Sequence, residues 1–301
     1  MENFVKRFVT SDEKIRVSIY QDDCAENPRY TTDEPIYFED YCRDYSLMSR
    51  EDRRDRSYDS LEERANSLLA YYGDGKKVVD LLIENGKHLT DGKSTCNNAL
   101  VYNKSDKVWE LLEYTKWYGE KEYKWRTADD FVTKREELDG YLDRIAETIL
   151  ADTLEYLFNA NVVDDIRIAT YNFGYNGEVS FDEGLDLSGD GLCWIVKKEY
   201  LKYTGLKEDR WNEEKVSENW VVKEIEKWSE NEVYGFEVEK RIDYNVTKVC
   251  TSEEKETENY TETNWETIDS CWGFYGEGDE VLNDMLDCAG YTLDELTEVD
   301  E

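Results

Sequence analysis

The stretch Asp182-Glu183-Gly184-Leu185-Asp186-Leu187-Ser188-Gly189-Asp190-Gly191 carries the side chains whose spacing comes nearest to a recognisable chemistry. Asp186, Ser188 and Asp190, followed by Gly191, match the first half of a calcium-binding loop, in which oxygens at alternate positions converge on the ion. The twelfth position of such a loop needs a bidentate glutamate. Lys197 stands there, and its ammonium offers no oxygen ligand. A polar hairpin ahead of a Leu192 strand is the simpler reading. The same carboxylates, with Asp182, define an enzymatic alternative, a calcium- or magnesium-dependent hydrolase. His88, in Gly86-Lys87-His88-Leu89-Thr90, has no serine or cysteine nucleophile in an elbow motif to serve and reads as a surface residue. The seven cysteines are scattered without a CxxC, and one histidine gives zinc no close ligand pair. They read as free thiols, several of them buried. No GxGxxG or P-loop is present, so neither a cofactor nor a catalytic residue is expected.

Charge says more than motif. Against 37 Lys and Arg stand 72 Asp and Glu, a formal balance of −35, and residues 251–301 hold seventeen of the acids with Lys255 as their single cation. Such an excess costs self-repulsion and points to a surface that meets something cationic. Direct nucleic-acid binding is disfavoured, because it relies on neutralising phosphates with cations. Size scaling gives roughly 13,000 Å² of folded surface, about one excess charge per 380 Å²; duplex DNA presents about one per 110 Å². Averaged over the chain, the charge is too dilute to imitate DNA; concentrated on the face of the last fifty residues it would come closer. Adaptation to high salt is opposed by the abundant lysine. Nine Trp, 23 Tyr and nine Phe argue for a folded chain rather than a disordered one. The N-terminal Met1-Glu2-Asn3-Phe4-Val5-Lys6-Arg7 lacks the apolar run of a signal peptide, and no later stretch suits a membrane span, so a cytoplasmic protein is expected.

The elements that would position these groups read as α+β, with sheet segments at both ends of the chain around a helical insertion. Three segments are expected: an N-terminal β segment (1–56), a helical subdomain (57–160) and an α+β C-terminal domain with an acidic tail (161–301). Lys14-Ile15-Arg16-Val17-Ser18-Ile19-Tyr20 alternates as a half-buried strand does, and Pro35-Ile36-Tyr37-Phe38 suggests another. Arg50-Glu51-Asp52-Arg53-Arg54-Asp55-Arg56 interleaves its cations with acids and reads as a solvated face. Leu61, Arg64, Ala65, Leu68 and Leu69 recur at helical spacing until Gly73 and Gly75; Val78, Val79, Leu82 and Ile83 predict a second helix ended by Gly86. Ser105 or Asp106 is placed to cap a third, carrying Val108, Leu111, Leu112 and Tyr114, and Thr127 to open a long fourth reaching Leu157. Strands are expected at residues 165–171, 192–196, 233–238 and 265–275, a helix over 212–228, and a last short helix capped by Asp279.

Three blocks carry a resemblance: Ile19-Tyr20-Gln21-Asp22-Asp23-Cys24-Ala25-Glu26-Asn27-Pro28-Arg29, then Val233-Tyr234-Gly235-Phe236-Glu237-Val238, then Asp269-Ser270-Cys271-Trp272-Gly273-Phe274-Tyr275-Gly276. Together they resemble a family of acidic proteins carried by bacteriophages and integrative elements, and the chain is similar to the Gabija anti-defence family. That resemblance implies an inhibitor that binds and encloses a bacterial nuclease–helicase complex and keeps it from DNA. It implies no enzymatic activity, a place in the host cytoplasm and an even-numbered homo-oligomer with the reach to enclose its target. No contact residue carries over. In the third block Trp272 and Phe274 are expected on one strand face, with Gly273 and Gly276 allowing tight backbone geometry.

The partner-binding candidates follow from chemistry. Trp117 and Trp125 in the insertion are apolar anchors, although such rings are more often core, and Glu277, Asp279 and Glu280 in the acidic tail are bait for a basic DNA channel. A DNA-mimicking antirestriction protein is the alternative built on the same charge.

Overall fold

A computed structural model describes residues 3–42, 45–48, 58–90, 93–160, 162–249 and 257–299. In chain order the strands and helices are β1 (Asn3–Thr10), β2 (Ile15–Gln21), α1 (Pro28–Thr31), β3 (Ile36–Asp40), α2 (Leu61–Tyr72), α3 (Gly75–Gly86), β4 (Asn98–Asn103), β5 (Val108–Thr115) and β6 (Lys124–Phe131). They continue as α4 (Leu142–Thr148), α5 (Ala151–Asn159), β7 (Ile166–Phe173), β8 (Val179–Glu183), β9 (Gly191–Val196), α6 (Lys197–Thr204) and α7 (Trp220–Ser229). The chain closes with β10 (Val233–Val249), β11 (Thr257–Tyr275), α8 (Gly278–Ala289) and β12 (Leu296–Glu298). The class is α+β, and every strand pairing is antiparallel. The Arg50–Arg56 cluster lies outside the described residues.

Two compact units form, residues 1–32 with 223–301, and residues 33–222. These boundaries differ from the three expected segments, because β2 finds its partner in β10, more than two hundred residues later. The first unit is a five-stranded sheet in the order β11-β10-β2-β1-β12. Alternation in β2 sends Val17 and Ile19 to one face, where they meet Phe8, Phe236 and Val238. Over them lies α8, whose Val281, Leu282, Met285 and Leu286 recur at helical spacing and are buried in the same cluster. Its N-cap is Glu277 rather than Asp279, which falls inside the first turn. The acidic tail is ordered as far as the described residues run: β12 pairs with β1, Phe8 opposite Glu298.

Trp272 and Phe274 do not share a face. Gly273, at φ +86°, forms a bulge that sets Trp272 opposite Gly235 and Phe274 opposite Tyr234. Phe274 therefore packs on the core with Phe236 (ring centroids 5.9 Å apart), while Trp272 stacks on Tyr20 (6.1 Å) on the other side.

The second unit holds two sheets, β3-β9-β7-β8 and β4-β5-β6, around one core that takes in α2, α3, α4 and α5. All six residues of β9 are buried, as a central strand covered on both faces requires. Helix α2 is capped by Ser60, and α3 by Asp74, so Gly75 opens a helix instead of ending one. The expected third helix is strand β5. Asn103 Oδ1 accepts the backbone N–H groups of Ser105 (2.9 Å) and Asp106 (3.2 Å), making a hairpin turn of residues that read as helix caps. Thr127 sits in β6, and helix resumes only as a 3-10 turn over Arg135–Tyr141, then α4 and α5. The helix expected over 212–228 starts at Trp220, where Asn219 Oδ1 accepts the Val221 N–H at 2.9 Å. The insertion is thus a mixed helix-and-sheet body.

Candidate functional site

The loop between β8 and β9 is not a hairpin: both strands pair with β7, on its opposite sides, and the loop crosses over it. Its oxygens are used locally. Asp186 Oδ1 accepts Ser188 N (2.8 Å) and Ser188 Oγ (2.6 Å), which holds the Asp186 carboxyl below its ordinary range. Asp190 Oδ2 accepts the Phe173 N–H at 2.9 Å, tying the loop to β7. Asp182 lies in β8 opposite Thr170. Among the described residues no three His, Cys, Asp or Glu side chains are grouped to hold a metal ion. His88 follows α3, with Nε2 3.6 Å from Glu84. Of the described cysteines, Cys96 and Cys193 are buried.

Sequence reasoning placed Trp117 and Trp125 in a helical body; they stand instead at the tip of the β5–β6 hairpin. Glu120 N donates to Trp117 O (3.1 Å) around Gly119, whose φ of +88° the turn requires. Strand register sets Tyr114 directly opposite Trp125, with ring centroids 5.2 Å apart, and Tyr123 leans on Tyr114 at 5.6 Å. The Arg126 guanidinium lies 4.0 Å over the Trp117 ring and binds Glu120. That pairing, with the Trp117 N–H, holds the Glu120 carboxyl below its ordinary value. The rings remain open to solvent: Trp117 is 60 % exposed, Tyr123 58 %, and Tyr118 fully so. Within residues 114–126 four cations outnumber two acids, the reverse of the chain as a whole. The interleaving of rings and lysines in Tyr-Thr-Lys-Trp-Tyr-Gly-Glu-Lys-Glu-Tyr-Lys-Trp-Arg was the signal available for this patch.

A second exposed surface was missed altogether. β2 accompanies β10 only as far as Lys240 opposite Ile15, with one further bond from Arg241 N to Lys14 O (2.8 Å). Beyond it, among the described residues, β10 and β11 pair only with each other through eight register pairs, from Ile242↔Asn264 to Val249↔Thr257. This two-stranded ribbon extends about 26 Å at the usual strand rise. Its faces differ. One is polar and satisfied across the strands: Asp243 Oδ1 accepts Thr263 Oγ1 (2.8 Å) and Arg241 Nε (3.0 Å), which lowers the Asp243 pKa, the threonine bond most. The other carries Ile242, Tyr244, Val246, Tyr260 and Glu262, with Glu266 opposite Lys240 at its base, and leaves Tyr244 49 % and Tyr260 48 % exposed. Strict polar–apolar alternation from Arg241 to Thr247 was the available signal, but it does not say that the apolar face goes uncovered.

Of the acidic candidates, Glu277 is exposed at the start of α8. Asp279 and Glu280 follow in the helix, and their side chains lie outside the described residues. No described helix is long and apolar enough to cross a membrane. In comparisons with known proteins, no family model matches the chain and no curated protein matches it.

Proposed function

We propose that this protein is a non-enzymatic inhibitor, of the kind bacteriophages carry, that binds a bacterial DNA-targeting nuclease complex of the Gabija type in the host cytoplasm. The observation that carries this reading is the β10–β11 ribbon. A two-stranded ribbon is marginal in water on its own, and one with an apolar face and glutamates beside it gains by docking on another protein. The chain's −35 charge favours a cationic partner surface and speeds encounter with it. A DNA channel is lined with such cations, and occupying it blocks DNA without any chemistry. Tyr244 and Tyr260 supply contact area with few rotatable bonds, and Glu262 and Glu266 supply the charge that pairs with arginine or lysine. Of the seventeen acids of residues 251–301, nine lie in elements of this unit: four in β11, four in α8 and Glu298 in β12.

Mimicry of duplex DNA by charge alone is the weaker account. The accessible surface of 18415 Å² shared among 35 excess charges leaves one per about 530 Å², several times more dilute than duplex DNA at about one per 110 Å². Titration of the purified protein into a Gabija nuclease–helicase reaction on duplex DNA tests the proposal. Cleavage is expected to stop near one inhibitor per nuclease protomer, with the Tyr244→Ala/Tyr260→Ala variant at least about tenfold weaker. Full nuclease activity at several-fold molar excess of the wild-type chain would rule the reading out.

A further inference from the structure

We propose that Cys271 on β11 and Cys288 in the last turn of α8 form a paired-thiol site, which a small disulfide such as oxidised glutathione converts to an internal disulfide stapling α8 to the sheet. The site lies wholly within the first unit and stands whether or not the target is a nuclease. Register places Cys271 opposite the fully buried Phe236, so Cys271 shares the face that α8 covers and packs against that core. On the helix, Cys288 follows Val281 by seven residues and Met285 by three, and both of those are buried against the sheet. Cys288 therefore stands at the flank of the buried stripe, where its thiol hydrogen-bonds with that of Cys271. Both are free cysteines, Cys288 exposed and Cys271 half-buried, so one thiol is open to a reagent and the other waits behind it. Cys96 and Cys193, by contrast, are buried in the second unit.

The chemistry is two successive thiol–disulfide exchanges. The Cys288 thiolate attacks one sulfur of oxidised glutathione, forming a mixed disulfide and releasing one glutathione thiolate. The Cys271 thiolate then attacks the Cys288 sulfur, and the second glutathione thiolate leaves. In sum the two protein thiols give up two electrons and two protons, and the small disulfide takes them to become two thiols. Contact between the thiols makes the second step intramolecular and fast. The first step is slow. Packing beside the sheet, then the Cys271 thiol and the Asp269 carboxylate, hold the Cys288 thiol above its ordinary value, so little thiolate is present at neutral pH. The site thus answers a sustained shift in thiol–disulfide balance rather than a brief exposure. The bond ties the helix that covers the core to an edge strand and closes a loop through residues 272–287, which holds α8 in place more firmly.

Residues 256–301 contain no lysine or arginine, so trypsin leaves Cys271 and Cys288 in one peptide that holds no other cysteine. The test equilibrates the full chain in glutathione buffers, alkylates it under denaturing conditions and weighs that peptide by mass spectrometry. The peptide is expected unalkylated, free of glutathione and two hydrogen atoms lighter. Its oxidation constant should be at least about tenfold higher for the folded chain than in concentrated urea, because the fold brings the thiols together. Cys271→Ser should stop at a glutathione adduct on Cys288. Hydrogen exchange in α8 should slow in the oxidised wild type and stay unchanged when Cys288→Ser receives the same treatment. An oxidation constant no higher in the folded chain than in urea overturns the proposal. So does a peptide that accumulates glutathione on both cysteines, or an oxidised chain whose α8 exchanges as fast as before.

Discussion

The hairpin tip of the second unit and the ribbon of the first are both two-stranded excursions that expose tyrosines, yet they are built for different neighbours. In the hairpin the aromatic groups lean on one another and on Arg126, so the tip is held by its own side chains. In the ribbon the polar face closes on itself through Asp243 and Thr263, while Tyr244 and Tyr260 are left about half open. The charge differs as well, locally basic in the hairpin and acidic along β11. Exposed aromatic area alone would have made the two surfaces equivalent. Their charge and internal bonding separate them, and with them the class of partner each can take.

Three further experiments can break or sharpen this contrast. The largest effect is expected from Phe236→Ala, which empties a fully buried site beneath α8. It should cost about 3–5 kcal/mol in urea unfolding followed by hydrogen exchange, with protection lost in β10 and β11 and retained in β5 and β6. Equal loss in both excursions would show that they do not belong to separately stabilised scaffolds.

Asn85→Ala probes the other side. This buried side chain donates to Cys96 O (2.9 Å) and Asn98 O (2.8 Å) and accepts the Thr95 N–H (2.7 Å), anchoring the approach to β4. Its removal strips the Cys96 carbonyl and the Thr95 N–H of this partner and leaves Asn98 O with only the Cys96 thiol, and should cost about 2–3 kcal/mol, read as lost amide protection in β4–β6 and unchanged protection in β10–β11.

The smallest effect is set by pH and should touch both excursions alike. Glu120 is held below its ordinary value chiefly by Arg126, and Asp243 chiefly by the Thr263 hydroxyl. A carboxyl lowered in the folded state contributes fully above its unfolded pKa, and the contribution is lost as pH falls through the lowered value. Trp117 fluorescence should therefore stay constant down to about pH 4 and change below it, and Glu120→Gln should abolish that step. A step centred near neutrality would contradict the assignment.

Local pattern made much of the scaffold legible. Alternation in Lys14-Ile15-Arg16-Val17-Ser18-Ile19-Tyr20 and the wholly apolar Leu192-Cys193-Trp194-Ile195-Val196 both became strands, and Leu61, Ala65, Leu68 and Leu69 became a buried helix face. The failures share one cause. Val108, Leu111, Leu112 and Tyr114 fit helical spacing as well as strand spacing, and only the Asn103 turn and the partners Ala99, Leu100 and Phe131 decide for the strand. Trp272 and Phe274 fit a shared face until Gly273 inserts a bulge between them. The calcium-like spacing of Asp186, Ser188 and Asp190 was legible; the bond from the Phe173 N–H to Asp190 was not, because it depends on β7 lying beside the loop.

By itself the sequence determined the charge, the aromatic content and the α+β class, all of which depend on residue identity and short-range periodicity. Which strands pair across two hundred residues, where the ribbon outruns its neighbours, and which rings are left in solvent were decided by tertiary structure. Burial of an apolar face is a property of what lies opposite it, and no local window of residues contains that information.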